Sequence, residues 1–288
     1  MALWCFPSRL WAETLTLATY NVENYVAANR MVDGVYREGY PKPEAAKSSL
    51  RAVIRALNTD IIALQEIGPR PYLDELRRDL ASEGCEYPHV EWLEAADTER
   101  HVAVLSRRAF KLVKGHTDLT FPYFGATERV KRGLLEVRCE TAGGELTLFV
   151  VHLKSRFTDR PDDVESALRR AGEAVAVRDR VLTRFPDPEK ARFVIVGDCN
   201  DGPASRPLRA LLARGKTTIT DMLASADSRG ETWTHFYRKE DKYSRVDYVL
   251  VSPALKPAVI GGVTKIFDGE ETRGASDHRP VVVRLELK

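Results

Sequence analysis

The groups in this chain that could do chemistry stand where apolar runs stop. The stretch Arg192 to Gly202 reads Arg-Phe-Val-Ile-Val-Gly-Asp-Cys-Asn-Asp-Gly: a β-branched run ends at Gly197, and Asp198, Asn200 and Asp201 crowd behind it. Asp, Asn and Gly after a strand are ordinary turn formers, so one such ending is a turn. The event recurs, however. Asn21 and Glu23 close an alternating stretch that begins at Leu15, and Glu66 follows Ile-Ile-Ala-Leu. His152 and Lys154 leave the run ending at Val151 on one face, because strand side chains repeat every second residue. Asp247 lies between Val246 and Tyr248, and Asp277 with His278 directly precedes Val281 to Leu287. Carboxylate and amide oxygens suit a hard divalent cation, and imidazole moves protons near neutral pH. A His and a Lys emerging together suit an anionic substrate. A carboxylate at the end of so apolar a strand is costly without a partner or a cation, which makes Glu66 a metal candidate. Buried Asp247 needs a fixed partner, often the second nitrogen of a histidine.

The elements that must position these groups follow from periodicity. Strands are expected at Leu15–Val22, Asp60–Ile67, His89–Ala95, His101–Ser106, Leu134–Glu140, Glu145–Val151, Phe193–Val196, Thr232–Tyr237, Arg245–Ser252 and Val281–Leu287. Helical spacing of Leu50, Val53, Ile54 and Leu57, then of Leu73, Leu76 and Leu80, predicts helices over Glu44–Leu57 and Pro71–Ser82. Two more are expected over Asp162–Phe185, stopped by Pro186 and Pro188, and over Arg206–Ala213. Residues 24–43, with Gly34, Gly39, Pro41 and Pro43, read as a polar loop near the mouth of the site. Arg169, Arg170 and Glu173 on the long helix either reach the site by their length or pair at the surface; Arg169 is taken as a substrate-binding candidate beside Lys154. Phe121, Tyr123 and Phe124 beside Arg129, Lys131 and Arg132 could meet a nucleotide, although packed loop aromatics are commoner. His89 and His101 open strands and are read as structural.

The chain has 288 residues, 43% apolar and 30% charged, and no Gly/Ser-rich or Pro-rich linker divides it. One domain over 15–288 is expected, acting as a monomer. Residues 1–14 form an apolar arm with Trp4, Trp11 and Arg9, too short for a full signal peptide or a membrane span. It is either the remnant of an export signal, which would place the protein outside the cytoplasm or in a periplasm, or a packing arm of a cytoplasmic protein. No other segment is apolar enough to cross a bilayer. A net charge of +2 excludes a globally basic nucleic-acid binder and leaves only local patches. Cys5, Cys85, Cys139 and Cys199 have no short paired spacing, which excludes a zinc cluster or a disulfide framework. Cys199 should point away from Asp198 and Asn200 into packing.

Taken in order, Thr-Tyr-Asn-Val-Glu-Asn, Leu-Gln-Glu, Val-His-Leu-Lys-Ser, Gly-Asp-Cys-Asn-Asp, Arg-Val-Asp-Tyr-Val and Ser-Asp-His-Arg-Pro closely resemble the motifs of the endonuclease/exonuclease/phosphatase superfamily. The resemblance spans Leu15 to Leu287, and the ordered set carries the specificity that each motif lacks alone. It implies an α/β fold, a four-layer sandwich of two mixed sheets face to face with helices outside. It also implies hydrolysis of a phosphate ester with Mg2+ or Mn2+. By the same resemblance Asn21, Glu66 and Asp277 hold the metal, and Asp198 and Asn200 orient water and phosphate. Asp247 holds His278, and His152 and His278 flank the scissile phosphate. His152 places the chain nearer the deoxyribonuclease and sphingomyelinase branches, and the lack of a long apolar hairpin argues against the second. The expected substrate is a nucleic acid, DNA or possibly RNA. The rivals are a phosphomonoester, a lipid or small phosphodiester, and a binding protein that has lost catalysis.

Overall fold

The computed structural model describes residues 12–158 and 160–288, so most of the predicted N-terminal arm lies outside the described residues. Strand β1 (Glu13–Tyr25) contains the predicted Leu15–Val22 and runs past it. Where a loop is expected over 24–43 stands a hairpin, β2 (Ala28–Val32) and β3 (Val35–Tyr40). Neither strand has a buried face, so no apolar alternation marks it in the sequence. Helix α1 (Glu44–Leu57) has its predicted bounds and ends on Asn58 in the left-handed conformation. There follow β4 (Ile61–Ile67), α2 (Arg70–Ser82), β5 (His89–Trp92) and β6 (His101–Ser106).

Strands that the sequence reading does not predict follow, β7 (Phe110–His116), β8 (Thr120–Tyr123) and β9 (Ala126–Arg129). The expected hairpin is β10 (Leu134–Thr141) with β11 (Gly144–His152). Helix α3 (Ala167–Arg184) begins later than the predicted Asp162, because Glu165 and Ser166 turn left-handed at φ 54° and 52°. Asp163 satisfies its first turn, accepting from the N–H of Leu168 at 2.8 Å and of Arg169 at 3.1 Å. The remainder is β12 (Phe193–Asp198), α4 (Arg206–Leu212), β13 (Ala213–Arg214), β14 (Thr217–Thr218), β15 (Asp221–Met222), β16 (Ala224–Ala226), β17 (His235–Tyr237), β18 (Lys242–Ser244), β19 (Asp247–Val251), β20 (Val263–Ile266) and β21 (Val281–Leu287).

Two sheets dominate, ordered β16-β20-β21-β1-β4-β6-β5 and β15-β19-β12-β11-β10-β7. Both are mixed: β1 pairs parallel with β4 and antiparallel with β21, as β12 does with β11 and β19. Leu15, Leu17, Ile61 and Val104 of the first sheet pack on Val137, Leu148, Val194 and Val196 of the second. Alternate residues of the same strands face outward. Phe149, Phe193 and Ile195 meet Val177 and Val181 of α3 and Leu208 of α4, while Tyr20, Ile62 and Leu64 meet Leu50 and Ile54 of α1 and Leu76 of α2. Helices outside and two sheets inside give the four-layer α/β sandwich.

Register places the chemistry. His152 pairs with Asp198, and Asp198 with Asp247, so three polar groups form a row across the end of the second sheet. In the first sheet Asn21 pairs with Gln65, and the ladder is irregular before Tyr25 meets Ile67, which throws out Glu66 at φ 63°. Gly197, at φ 142°, passes so close to β11 that a Cβ there would strike the Val151 carbonyl oxygen. Only glycine lets β12 carry Asp198 alongside His152.

Candidate active site

His278 reaches the row from the loop before β21. Its N–H donates to Ser276 Oγ (3.0 Å), and the Ser276 hydroxyl donates to the Asn21 carbonyl (2.8 Å), tying the loop to β1. The imidazole Nδ1 bonds Asp247 Oδ2 at 2.8 Å. Thr234 Oγ1 accepts from the N–H groups of Val246 and Asp247, at 3.0 and 3.1 Å, and fixes that end of β19. Asn200 donates its backbone N–H to Asp198 Oδ1 (2.7 Å) and its amide to Asp198 Oδ2 (3.1 Å) and the Leu153 carbonyl (3.0 Å). Asn21 Nδ2 lies between Asp198 Oδ2 (3.0 Å) and Glu66 Oε1 (3.3 Å), and the Asn24 N–H holds Glu66 Oε2 (2.9 Å). Glu23, Asn24, Glu66 and Asn200 all take left-handed φ, between 47° and 63°. Strain of this kind in non-glycine residues gathers at functional sites.

His152 is buried, with Nε2 at 3.6 Å from Asp198 Oδ2 and 3.8 Å from Glu66 Oε1. Among the described residues neither of its nitrogens has a hydrogen-bond partner, nor has Asp247 Oδ1. A buried polar atom left unsatisfied costs about 1–3 kcal/mol. Burial pushes His152 well below the ordinary imidazole range, and Arg132, His278 and Arg100 push the same way. Burial also opposes a charge on His278, but Asp247, Asp198 and Asp277 outweigh it and hold that ring well above the range. Burial and then Asp247 raise Asp198 to about 7. The two imidazoles therefore differ at neutral pH, His152 uncharged and His278 charged, the kind of split that separates acid and base duties.

Three carboxylates face the fourth side. Burial raises Glu23, Asp277 and Glu66 repel it further, and Lys42 opposes them from 3.4 Å. Asp277 lies 3.6 Å from His235 Nε2 and 3.9 Å from His278 Nε2. Among the described residues two sets bring their ligand atoms within 4.8 Å of one another, His235 with Asp277 and His278, and Asp198 with Asp247 and His278, and the hard oxygens of Asp277 and Glu66 suit Mg2+ or Mn2+. The Asn21 side-chain oxygen accepts the Glu23 N–H at 3.0 Å and its N–H faces the carboxylates, so it braces Glu66 and Asp198. Glu23, Thr234, His235 and Ser276 are site residues that sequence reasoning missed. Glu23 carried a signal, a carboxylate two residues beyond Asn21 at a strand end; His235 sits in a three-residue strand with none.

Lys154 lines a cleft of about 640 Å³ that opens at Glu66 and is walled by Asn24, Asp97, Arg100, Lys131, Arg132 and Phe157. Arg169 is not brought there. It is buried, pairs with Glu128 at 2.7 Å and lies 5.5 Å from the centre of the Tyr123 ring, fastening α3 to the β8–β9 hairpin. Arg170 is also turned inward, onto Asp201 at 3.0 Å and the Lys154 and Glu165 carbonyls. Phe121 and Tyr123 pack in the outer core, as does Cys199. His101 bonds the Leu93 carbonyl at 3.1 Å.

Two mixed sheets whose strand ends gather carboxylates, amides and imidazoles, with Glu66 shared by the adjoining cleft, define a metal-dependent phosphoric ester hydrolase. Residues 18–278 match the Endonuclease/Exonuclease/phosphatase family, and the chain belongs to it as a phosphodiesterase-type hydrolase. No curated protein sequence matches the chain. Among solved structures it is similar to beta toxin from Staphylococcus aureus, at 16% identity over 93% of this chain and 99% of that one, with a TM-score of 0.66. Sphingomyelinase C from Streptomyces griseocarneus gives 17% identity, 96% and 100% coverage and a TM-score of 0.62. A humanized D. rerio TDP2 gives 16%, 94% and 98%, and 0.60. At these identities the likeness is one of fold. A variant of the beta toxin, 16% identical over 96% of this chain and 100% of that one at a TM-score of 0.65, carries bound magnesium ions.

Proposed function

We propose that the protein hydrolyses phosphodiester bonds in nucleic acid, DNA or RNA, with magnesium or manganese as the ion. The observation that carries this reading is the cleft, whose wall beside Glu66 is built from Arg100, Lys131, Arg132 and Lys154. Clustered cations beside a catalytic centre suit a polyanion lying across it. Glu66, with Glu23 and Asp277 nearby, would hold a divalent cation, which would neutralise the phosphate oxygens. Asn200 and Asp198 place the attacking water, and Asp198, raised to about 7, accepts its proton near neutral pH. His278, kept charged by Asp247, offers Nε2–H to a phosphate oxygen as negative charge develops. Neutral His152 hydrogen-bonds the same phosphate from the Glu66 side, giving its buried nitrogens a partner.

A second reading, cleavage of a phosphodiester at a lipid surface, is favoured by the β2–β3 hairpin. Met31, Val35 and Tyr36 are 63%, 54% and 59% exposed there. The hairpin is short, five and six residues per strand, and carries Arg30, Arg37 and Glu38 beside these apolar side chains. Supercoiled plasmid, a single-stranded oligonucleotide and phosphocholine-lipid vesicles, each with Mg2+ or Mn2+ and with chelator, separate the two. Metal-dependent cleavage of nucleic acid that disappears in His152→Ala is the expected result. Head-group release from vesicles with no cleavage of nucleic acid would overturn it.

A further inference from the structure

We infer that the Lys131–Lys154 wall is a second-anion subsite, which takes a phosphate next to the scissile one while the adjoining base lies on Phe157. This rests on the phosphodiesterase reading above and narrows the substrate to an oligonucleotide with a phosphate beyond the bond that is cut.

The charge balance of the cleft singles out these two lysines. Arg132 is neutralised by Asp97 at 2.8 Å, and Arg100 by Glu99 at 2.8 Å with a further bond to Asn24 Oδ1. Among the described residues Lys154 Nζ has only neutral acceptors, the Ser155 carbonyl and hydroxyl at 3.3 Å and the Phe157 carbonyl. Lys131 has no ion pair among the described residues. Two ammonium groups with no direct ion pair among the described residues remain on one wall. Burial, then Arg132, Arg169 and Lys131, lower Lys154 to about 8, against Glu173, as expected where positive charge is crowded.

The wall is also built, rather than a chance meeting of loops. Glu173 of α3 is fully buried, and its two oxygens accept the backbone N–H groups of Lys154 (2.7 Å) and Lys131 (3.5 Å). One carboxylate thus clamps the exit of β11 to the segment entering β10. Arg132 repeats the tie through the Leu153 carbonyl at 3.3 Å. Phe157 completes the wall. Its carbonyl is held by the Ser166 hydroxyl at 2.9 Å, yet its ring is 78% exposed, 5.7 Å from Lys154 Nζ. An aromatic ring held out beside cations is how single strands are bound, stacking on the base and charge on the phosphate. The same wall repels a leaving group that carries a quaternary ammonium.

The test compares thymidine dinucleotides with no terminal phosphate, a 5′-phosphate or a 3′-phosphate, with bis(p-nitrophenyl) phosphate as the plain diester, all with Mg2+ or Mn2+. One terminal phosphate should raise kcat/KM about tenfold, equal to one well-placed charge contact. That ratio should fall below about threefold in Lys131→Ala and survive in Lys131→Arg, whatever the absolute rates of the variants. The logarithmic salt slope on tetrathymidylate should shrink by about 0.7 in Lys131→Ala, the value for one lost single-strand phosphate contact. Dinucleotides cleaved with no advantage from either phosphate would overturn the subsite and leave the phosphodiesterase reading standing. No metal-dependent hydrolysis of any of these esters would overturn both.

Discussion

Two buried histidines on the second sheet are built in opposite ways. His116, on β7, uses both nitrogens: Nε2 on Glu136 at 2.9 Å and Nδ1 on the Arg180 guanidinium at 2.7 Å. Around it Glu136 also meets Arg184 at 3.4 Å and Arg138 at 3.5 Å, and Arg180 meets Asp118 at 2.9 Å. His152, on β11, uses neither nitrogen, and around it the backbone of Glu66 and Asn200 is left-handed. Burial and charge are common to both places, so neither marks a site. Unspent hydrogen-bonding capacity held on a strained backbone does, because folding alone would have selected against it.

Substitutions should separate the two regions, the first by activity and the second by stability. Asp247→Asn is expected to lower kcat by about 10³–10⁴-fold with little change in Tm, since it releases His278 from the orientation that the carboxylate imposes; single-turnover rates beside a melting curve check it. Glu136→Ala should do the reverse. Removing the shared carboxylate leaves His116 Nε2 without its partner and strips a buried charge partner from Arg138 and Arg184, a loss of about 3–5 kcal/mol by denaturant unfolding, while activity per folded molecule holds. A fully active Asp247→Asn enzyme, or a Glu136→Ala protein as stable as the parent, would erase the distinction. The smallest effect concerns Lys154. Its ammonium, lowered to about 8, is charged below that pH and loses its charge above it, so KM for an anionic substrate should climb as pH rises through 8. In Lys154→Arg the guanidinium stays charged, and the climb should vanish from the KM–pH profile.

How much of this the sequence carries depends on where the information lies. Helix α1 and strands β6 and β21 have their predicted bounds, because α1 and β21 bury one regular stripe or face that forces the period and β6 is a short run buried throughout. The β2–β3 hairpin buries no face, and the start of α3 is decided by a kink at Glu165 and Ser166 that no periodicity records. Asn21, Glu66, His152, Lys154, Asp198, Asn200, Asp247, Asp277 and His278 are legible as polar groups ending apolar strands, and the structure gathers them. Arg169 is the instructive failure. Helical spacing puts it one residue from Arg170, and only packing reveals that both guanidinium groups are consumed inside the protein. Orientation is equally silent in a sequence: that Asn21 turns its N–H to the carboxylates depends on a backbone donor at Glu23.

The clamp made by Glu173 has a consequence for how such an enzyme can change over generations. The groups at the ends of β11, β12 and β19 are locked by sheet register, where a one-residue slip would send every side chain to the wrong face. The lysines and Phe157 hang instead from loops pinned to α3. Reaction chemistry is thus inherited with the strands and substrate preference with a helix and its attached loops. A lineage can replace the second while leaving the first untouched.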